Sequence, residues 1–376
     1  MKKSLLFAAL AVVAMASCTK NELKVPSTGS DAVISFQPVV ANATKADYIT
    51  NSSIAPSGDP KSSTFKFAVY AWYTDGEKMT SSTTTATAYM SGVEVSYKST
   101  HNDDTHGEGG WSPATTYYWP KNGYLSFDAY APSAASSDGD FSPNVEKGLQ
   151  IANYTVKDLE HQYDLLYSKR TLNKKNSTDG ATNNTYDGVD VAFYHALAAI
   201  EVTAKTDKNY SGAIKLKKIT ILNAYNNGTF SQGMTDAARE GAAAWSGQST
   251  ETPYELFKND SGVELTQTAL TSKTANPISN AILLPQEFDH TAATSNKVSI
   301  RVDYTIKHGT EELAQYYEVD LSSTSGAVAG GSSAPLSAWE IGKRYTYNFI
   351  FSLDEVYFAP EVAEWTDVTV KDIDVK

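Results

Sequence analysis

The sequence predicts an all-β fold built from two tandem β-sandwich domains. The chain has 376 residues, more than a single hydrophobic core usually serves. Its 23 Tyr, 13 Phe and 6 Trp stand among many Thr, Ser and Val, a composition that favours strands. Short alternating segments are bounded by turn residues, which is typical of sandwiches, and no solenoid-type period is present.

In the first half the sequence predicts five strands, of which 65–73 and 124–132 show clear alternation of apolar and polar side chains. The predicted strands are 33–36, 65–73, 89–97, 124–132 and 164–167. A long polar loop, 169–188, follows them. Because domain boundaries fall in exposed polar segments, we place the boundary at the end of this loop.

The second half continues with the same pattern of short strands and turns. The predicted strands are 189–205, 214–222, 282–286, 298–307, 315–321 and 345–351, with an extended tail at 362–375. A turn is expected at 226–228, a hairpin turn at 308–310 and a loop at 322–334.

The N-terminus has the form of an export signal. Lys2 and Lys3 precede an apolar run that is too short to cross a bilayer, which takes about 20 residues. Ala16 and Ser17 then precede Cys18, as in a bacterial lipobox, so residues 1–17 are predicted to be a lipoprotein signal peptide and Cys18 the acylated lipid anchor. Cys18 is the only cysteine of the chain. The alternative is an ordinary secretory signal with an incidental cysteine.

The charge balance excludes two classes of partner. The chain carries 31 Lys and Arg against 43 Asp and Glu, a net charge of −12. Proteins that bind nucleic acid or anionic lipid surfaces need basic patches. We therefore expect no nucleic-acid partner and no electrostatic docking on anionic lipid.

No catalytic, cofactor or metal site is predicted. The sequence has no metalloprotease, nucleophile-elbow, phosphate-loop or dinucleotide-binding motif. His195, inside an apolar run, is expected to be a hydrogen-bonded structural histidine. The polar loop 101–108 contains two histidines and three carboxylates and is expected to be solvated rather than metal-binding.

Several segments together resemble the fimbrillin-like family, the lipoprotein-derived subunits of type V pili. The segments are Trp119-Pro120 with 125–132, 164–168, 191–200, 282–286, the spacing Trp339-x-x-Gly342-x-x-Tyr345-x-Tyr347, and 34–36 with Thr44-Lys45-Ala46. They occur in the family's order over nearly the whole chain. The resemblance implies two transthyretin-like β-sandwich domains with few short helices, and a structural and adhesive role without enzymatic activity.

The resemblance also implies an assembly route. Such a precursor reaches the outer membrane by its lipid, and a surface protease specific for Arg or Lys removes the N-terminal pro-segment. Here the candidate cut lies between Lys45 and Ala46, although Lys20 and Lys24 would also be trypsin-type sites. The candidate leaving strand is Val33, Ile34, Ser35 and Phe36. A strand of another subunit would fill the vacated edge by β-augmentation.

The candidate donor strand is the C-terminal segment 368–375. Val368 and Val370 share one face, whereas Ile373 and Val375 fall on the other. A bulge would reconcile the two pairs. Otherwise the segment belongs to its own domain.

These inferences divide the chain into a signal peptide (1–17), a lipid-anchored tether with the pro-segment strand (18–45), an N-terminal sandwich (46–188) and a C-terminal sandwich (189–376). The expected partners are other pilus subunits in a homo- or heteropolymer, the outer membrane through the lipid, and a host or bacterial surface ligand. The alternatives are a monomeric surface lipoprotein that binds glycan or another ligand, for which aromatic residues such as Tyr73 and Tyr118 could stack on sugars, and a hydrolase.

Overall fold

The structure is a computed structural model. It describes residues 33–40, 65–80, 82–98, 110–175, 188–207, 213–233, 243–289, 297–323, 325–328, 332–352 and 356–364. Over these ranges the predicted all-β class is confirmed. Helical structure within them is limited to two 3₁₀ turns, Ser133–Ser137 and Leu321–Ser323.

Twenty strands follow one another along the described chain. They are β1 (Phe36–Val40), β2 (Lys66–Thr74), β3 (Thr87–Lys98), β4 (Gly110–Pro113), β5 (Tyr124–Ala131), β6 (Asp140–Phe141), β7 (Gln150–Thr155), β8 (Leu166–Ser168), β9 (Thr171–Lys174), β10 (Val189–His195), β11 (Ala198–Thr206), β12 (Ile214–Ser231), β13 (Ala244–Glu264), β14 (Ala281–Leu283), β15 (Ser299–His308), β16 (Glu311–Asp320), β17 (Ser325–Val328), β18 (Ser332–Pro335), β19 (Lys343–Phe351) and β20 (Val356–Glu364).

The first part of the fold is a closed ring of seven strands. Strands β2, β3, β4, β1, β10, β8 and β5 pair in that order, and β5 pairs back to β2. The eighth strand of the sheet, β9, pairs with β5. Alternate side chains point into the ring, where Phe67, Val95, Phe127 and Phe193 are almost fully buried. We call this unit the first ring.

The second part is a sandwich of two six-stranded sheets. One sheet has the order β14-β11-β19-β20-β17-β18. The other has the order β16-β15-β12-β7-β6, with β13 paired to β12. Their inner faces share one core, in which Val202, Ile219, Ile300 and Phe349 are almost fully buried. Along most of β11 and β19, buried side chains alternate with partly exposed ones, because only one face of each strand packs against the core.

Strands β6 and β7 join the two parts. They lie between β5 and β8 in sequence, yet β7 is hydrogen-bonded to β12 of the sandwich and β6 is hydrogen-bonded to β7. Tyr167 of β8 packs on Phe230 of β12 with ring centroids 5.2 Å apart, and its burial raises the pKa of the Tyr167 phenol to about 12. Trp245 packs on Phe230 at 5.4 Å and donates to the Ala196 carbonyl at 2.6 Å. Aromatic packing and a connector hydrogen bond therefore hold the two parts together.

The predicted division of the chain at residue 188 stays a prediction. Strand β10 begins at Val189 and is part of the first ring, where it pairs with β1 and β8. The sandwich strands of the second half begin with β11 at Ala198. Strand pairing thus changes from one unit to the other between His195 and Ala198.

The expected turn at 226–228 is wrong. Strand β12 runs without interruption through Asn226, Asn227 and Gly228 for 18 residues. It is paired on one side with β13 and on the other first with β15 and then with β7. Register shifts absorb the turn-type residues as bulges, because both edges of the strand have partners.

Two expected loops contain strands. The stretch 169–188 includes β9, which pairs with β5, and 322–334 includes β17 and most of β18. Strand β13 was not predicted at all, because its sequence is polar and mostly exposed. The hairpin at 308–310 is confirmed, with Gly309 at a φ of +64° in the turn between β15 and β16.

Candidate assembly groove

Strand β1 is the segment that closes the first ring. It lies between β10, to which it is parallel, and β4, to which it is antiparallel. The predicted strand 33–36 therefore overlaps β1 only at Phe36, and residues 33–35 lead into it. Tertiary pairing sets this shift, since the register runs from Phe36 opposite Val189 to Val40 opposite Phe193.

Main-chain hydrogen bonds hold the approach to β1 as well. The Ile34 amide donates to the Tyr117 carbonyl at 2.8 Å, and Val33 forms a bridge with Tyr118. On the other side the Val189 amide donates to the Ser35 carbonyl at 2.8 Å. Pairing with β4 itself is limited to Phe36 opposite Trp111. The contact with β10 is the longer of the two.

The side chains of this segment fill the core of the first ring. Ile34 and Phe36 are 0% and 2% exposed. The Phe36 ring makes edge-to-face contacts with Phe67, at 6.0 Å between centroids, and with Phe127, at 5.7 Å. Burying a phenylalanine of this kind stabilises a fold by about 1.5–3 kcal/mol.

Removal of residues 33–40 would leave a defined groove. Its floor would be the aromatic residues that now contact Phe36, and its walls would be the unpaired main-chain edges of β4 and β10. Unpaired edges over an apolar floor are a template for another strand. We call this space the β1 groove.

Gly188 allows β1 to approach β10 closely. Its φ is +82°, and a Cβ added there would lie 2.9 Å from the carbonyl carbon and the amide nitrogen of Phe36. Gly188→Ala is expected to push β1 away from β10. The measurement is hydrogen exchange of the Val189 amide, which should become at least about tenfold faster, a difference of about 1.4 kcal/mol.

Gly76→Ala is the matched control for this variant. Gly76 has a φ of +77°, but a Cβ there would meet nothing within 4 Å. It therefore carries the conformational strain of about 1–2 kcal/mol without the steric clash. Equal protection of the Val189 amide in the two variants would contradict the role given to Gly188.

A comparison with protein families shows which family this chain belongs to. The sequence model of a family described as fimbrillin-like matches residues 41–365. The chain belongs to the fimbrillin-like family. The resemblance seen in the sequence is thereby confirmed. The chain is a fimbrial or adhesion subunit, a structural class of cell-surface protein.

Solved structures share the fold of this fimbrillin-like chain. A fimbrial protein from Bacteroides vulgatus matches with a TM-score of 0.57 and 16% identity, over 89% of this chain and 100% of its own. A candidate cell adhesion protein from Bacteroides uniformis matches with a TM-score of 0.50 and 16% identity, over 90% and 100%. No curated protein sequence matches the chain.

Most residues of the predicted assembly sites of this fimbrillin-like chain lie outside the described ranges. Those outside are Cys18, Lys45, Ala46, Val368, Val370, Ile373 and Val375. The leaving strand, Val33 to Phe36, is described, and it lies against the ring core. The sequence analysis did not identify Gly188 as important. The only local sign of its role is its position directly before an apolar strand.

His195 has a structural setting in this fimbrillin-like fold. Its Nδ1 lies 2.8 Å from Oδ2 of Asp164, and both side chains are buried. In the described ranges, no group of three or more His, Cys, Asp and Glu could hold a metal ion. The helical segments of the same ranges include none long and apolar enough to cross a membrane. The loop 101–108 lies outside them.

Proposed function

We propose that this protein is a pilus subunit that is delivered to the outer membrane as a lipoprotein through Cys18 and assembled after proteolytic loss of its first strand. The observation that carries the proposal is that β1, close to the N-terminus, closes the first ring between β4 and β10. Cleavage downstream of β1 would separate a strand that the ring core needs.

The position of Lys45 supports cleavage at that point. It follows β1 by a few residues, in a small-residue polar stretch of the kind that proteases cut. A cut between Lys45 and Ala46 releases the lipid on Cys18 together with β1. Cuts at Lys20 or Lys24 would release the lipid but leave β1 in place.

Assembly then follows from the open groove. A strand from another subunit would pair with β4 and β10 and bury its own apolar side chains on the aromatic floor. Addition of this kind joins unlike surfaces and produces an open fibre. The candidate donor is 368–375, which follows β20 after a short connection.

The test is treatment of the purified lipid-free precursor with an Arg/Lys-specific protease. We expect cleavage after Lys45, loss of the N-terminal peptide and formation of SDS-resistant ladders, read by gel electrophoresis and N-terminal sequencing. Deletion of residues 368–376 is expected to abolish the ladders while the first ring stays folded.

Lys45→Gln is the matched control, because it removes the cleavage site and keeps β1. It should stay monomeric under the same treatment. A wild-type chain that is cut cleanly after Lys45, loses the peptide and stays monomeric would contradict assembly by this route. A monomeric surface lipoprotein that binds a ligand would then be the better description.

A further inference from the structure

One end of the first ring carries an open cleft. At this end, which we call the outer pole, β2 ends at Thr74, β3 begins at Thr87 and β5 begins at Tyr124. Towards the opposite ends of β2 and β5, Ala68 and Tyr130 pack into the core shared with the sandwich. At the outer pole, Met79 of the loop after β2 lies 3.5 Å from Nη1 of Arg170, which donates to the Val145 carbonyl before β7.

Tyrosine side chains surround the outer pole. Tyr73, Tyr89 and Tyr117 are partly buried against the ring core, and Tyr118 is 38% exposed. The rings of Tyr89 and Tyr117 lie 6.3 Å apart. Tyrosine offers a rigid contact surface with an apolar ring and a polar hydroxyl at low entropic cost, which makes it frequent in recognition surfaces.

Next to Tyr73 lies an open cleft with a volume of about 430 Å³. This volume falls in the range of about 300–1,000 Å³ that is usual for small-ligand sites, which often lie at the mouths of closed sheets. Its lining includes Tyr73, Asp75, Glu77, Lys78, Thr85 and Thr87. The lining combines apolar surface, from the Tyr73 ring and the threonine methyl groups, with carboxylate, ammonium and hydroxyl groups.

The cleft is held in shape by contacts below it. The Met79 amide donates to Oδ1 of Asn173 at 2.7 Å, and Nδ2 of Asn173 donates to the Met79 carbonyl at 3.0 Å. These two bonds tie the loop after β2 to β9. The Tyr73 hydroxyl donates to Oδ1 of Asp75 at 3.1 Å and orients that carboxylate. A preformed site loses less entropy when it binds a ligand.

The chemistry of the lining indicates the ligand class. Carboxylates accept hydrogen bonds, an ammonium donates them and threonine hydroxyls do both, so the cleft can satisfy a molecule with several hydroxyl groups. The two carboxylates, Asp75 and Glu77, outnumber the one ammonium, Lys78, and the whole chain carries a net charge of −12. An anionic ligand is therefore disfavoured.

We propose that the cleft at the outer pole binds a neutral saccharide, with Asp75 and Glu77 as acceptors for sugar hydroxyls and Tyr73 as the adjoining ring surface. This binding site is independent of strand exchange, since its residues lie on β2, on the loop that follows β2 and at the start of β3. A monomer that never polymerises would bind the sugar equally well.

The test is binding of the full-length chain in detergent to a panel of neutral probes: glucose, galactose, mannose, N-acetylglucosamine and their common disaccharides. Glycan-array binding followed by calorimetry is expected to find at least one binder. Asp75→Asn and Glu77→Gln should each weaken that binding at least about tenfold, a loss of about 1.4 kcal/mol.

The matched control is Glu311→Gln, an exposed charge neutralisation on β16 of the sandwich, which should leave affinity unchanged. Circular dichroism and thermal unfolding check that each variant is folded. If Asp75→Asn loosens the loop, Glu77→Gln, a substitution at an exposed position, still tests the contribution of a carboxylate to binding. The proposal is overturned if no neutral probe binds, if all three variants bind equally, or if N-acetylneuraminic acid or an oligolysine peptide binds in preference.

Discussion

The Arg170→Met variant is expected to lose about 3–5 kcal/mol of unfolding free energy, because it leaves a buried carboxylate without its charged partner. The side chains of Arg170 and Asp128 are 0% and 1% exposed. Nε of Arg170 donates to Oδ1 of Asp128 at 2.9 Å. After the substitution, Asp128 keeps the indole of Trp72 as a donor, at 2.9 Å.

Arg170 also ties the first ring to the turn between β6 and β7. Its Nη1 donates to the Val145 carbonyl at 2.6 Å, and its Nη2 donates to the Asn144 carbonyl at 2.9 Å. Both carbonyls lose these donors in the variant. We therefore expect Arg170→Met to weaken the connection between the ring and the sandwich as well as the ring itself.

Urea denaturation of the purified chain measures this loss. Arg170→Lys should cost less than Arg170→Met, because it keeps the charge but not the planar fork of donors. Lys66→Met is the control, since it breaks an ion pair with Glu94 in which both side chains are about half exposed, and it should cost about 0–1 kcal/mol. Equal costs for Arg170→Met and Lys66→Met would contradict the role of the buried pair.

Phe36→Ala is expected to destabilise the first ring by about 3–5 kcal/mol, the usual cost of removing a buried phenylalanine. The ring contacts of Phe36 with Phe67 and Phe127 would be lost, and a cavity would remain in the core. Because Phe36 is the first residue of β1, the loss falls on the strand that closes the ring. Its measurement is the unfolding free energy of the uncleaved chain in urea.

Gln37→Ala is the control for Phe36→Ala. Gln37 is the next residue of β1, is paired with Asp190 and is exposed, so its replacement should change stability by no more than about 0.5 kcal/mol. If protease then cuts after Lys45, the Phe36→Ala peptide should leave the groove faster than the wild-type peptide. Identical stability of the two variants would mean that β1 does not hold the ring closed.

Much of the secondary structure could be predicted from local pattern. Strands β2, β5 and β19 were placed within a residue or two, because apolar side chains recur at alternate positions of each sequence. The motif around Asp128 was read as a family segment. Its physical role stayed hidden, because the partner Arg170 lies 42 residues away.

Local pattern was least informative where pairing partners are distant. β13 is polar and could be recognised only through its hydrogen bonds to β12. β6 and β7 cross to the sandwich, which no periodicity indicates. For the cleft at the outer pole, the sequence analysis named only Tyr73, as an aromatic residue that could stack on sugars. The carboxylates and hydroxyls of the cleft come together only when the loop after β2 is folded.

The sequence by itself determined the all-β class and the order of segments that marks the fimbrillin-like family, and the lipobox at Cys18 stays a prediction from the sequence. These depend on side-chain type, alternation and spacing along the chain. Only the tertiary structure decided that β1 lies between β4 and β10 and that Gly188 lies against Phe36. The physical reason is that a strand satisfies its main-chain groups through partners far away in sequence, and local pattern does not specify those partners.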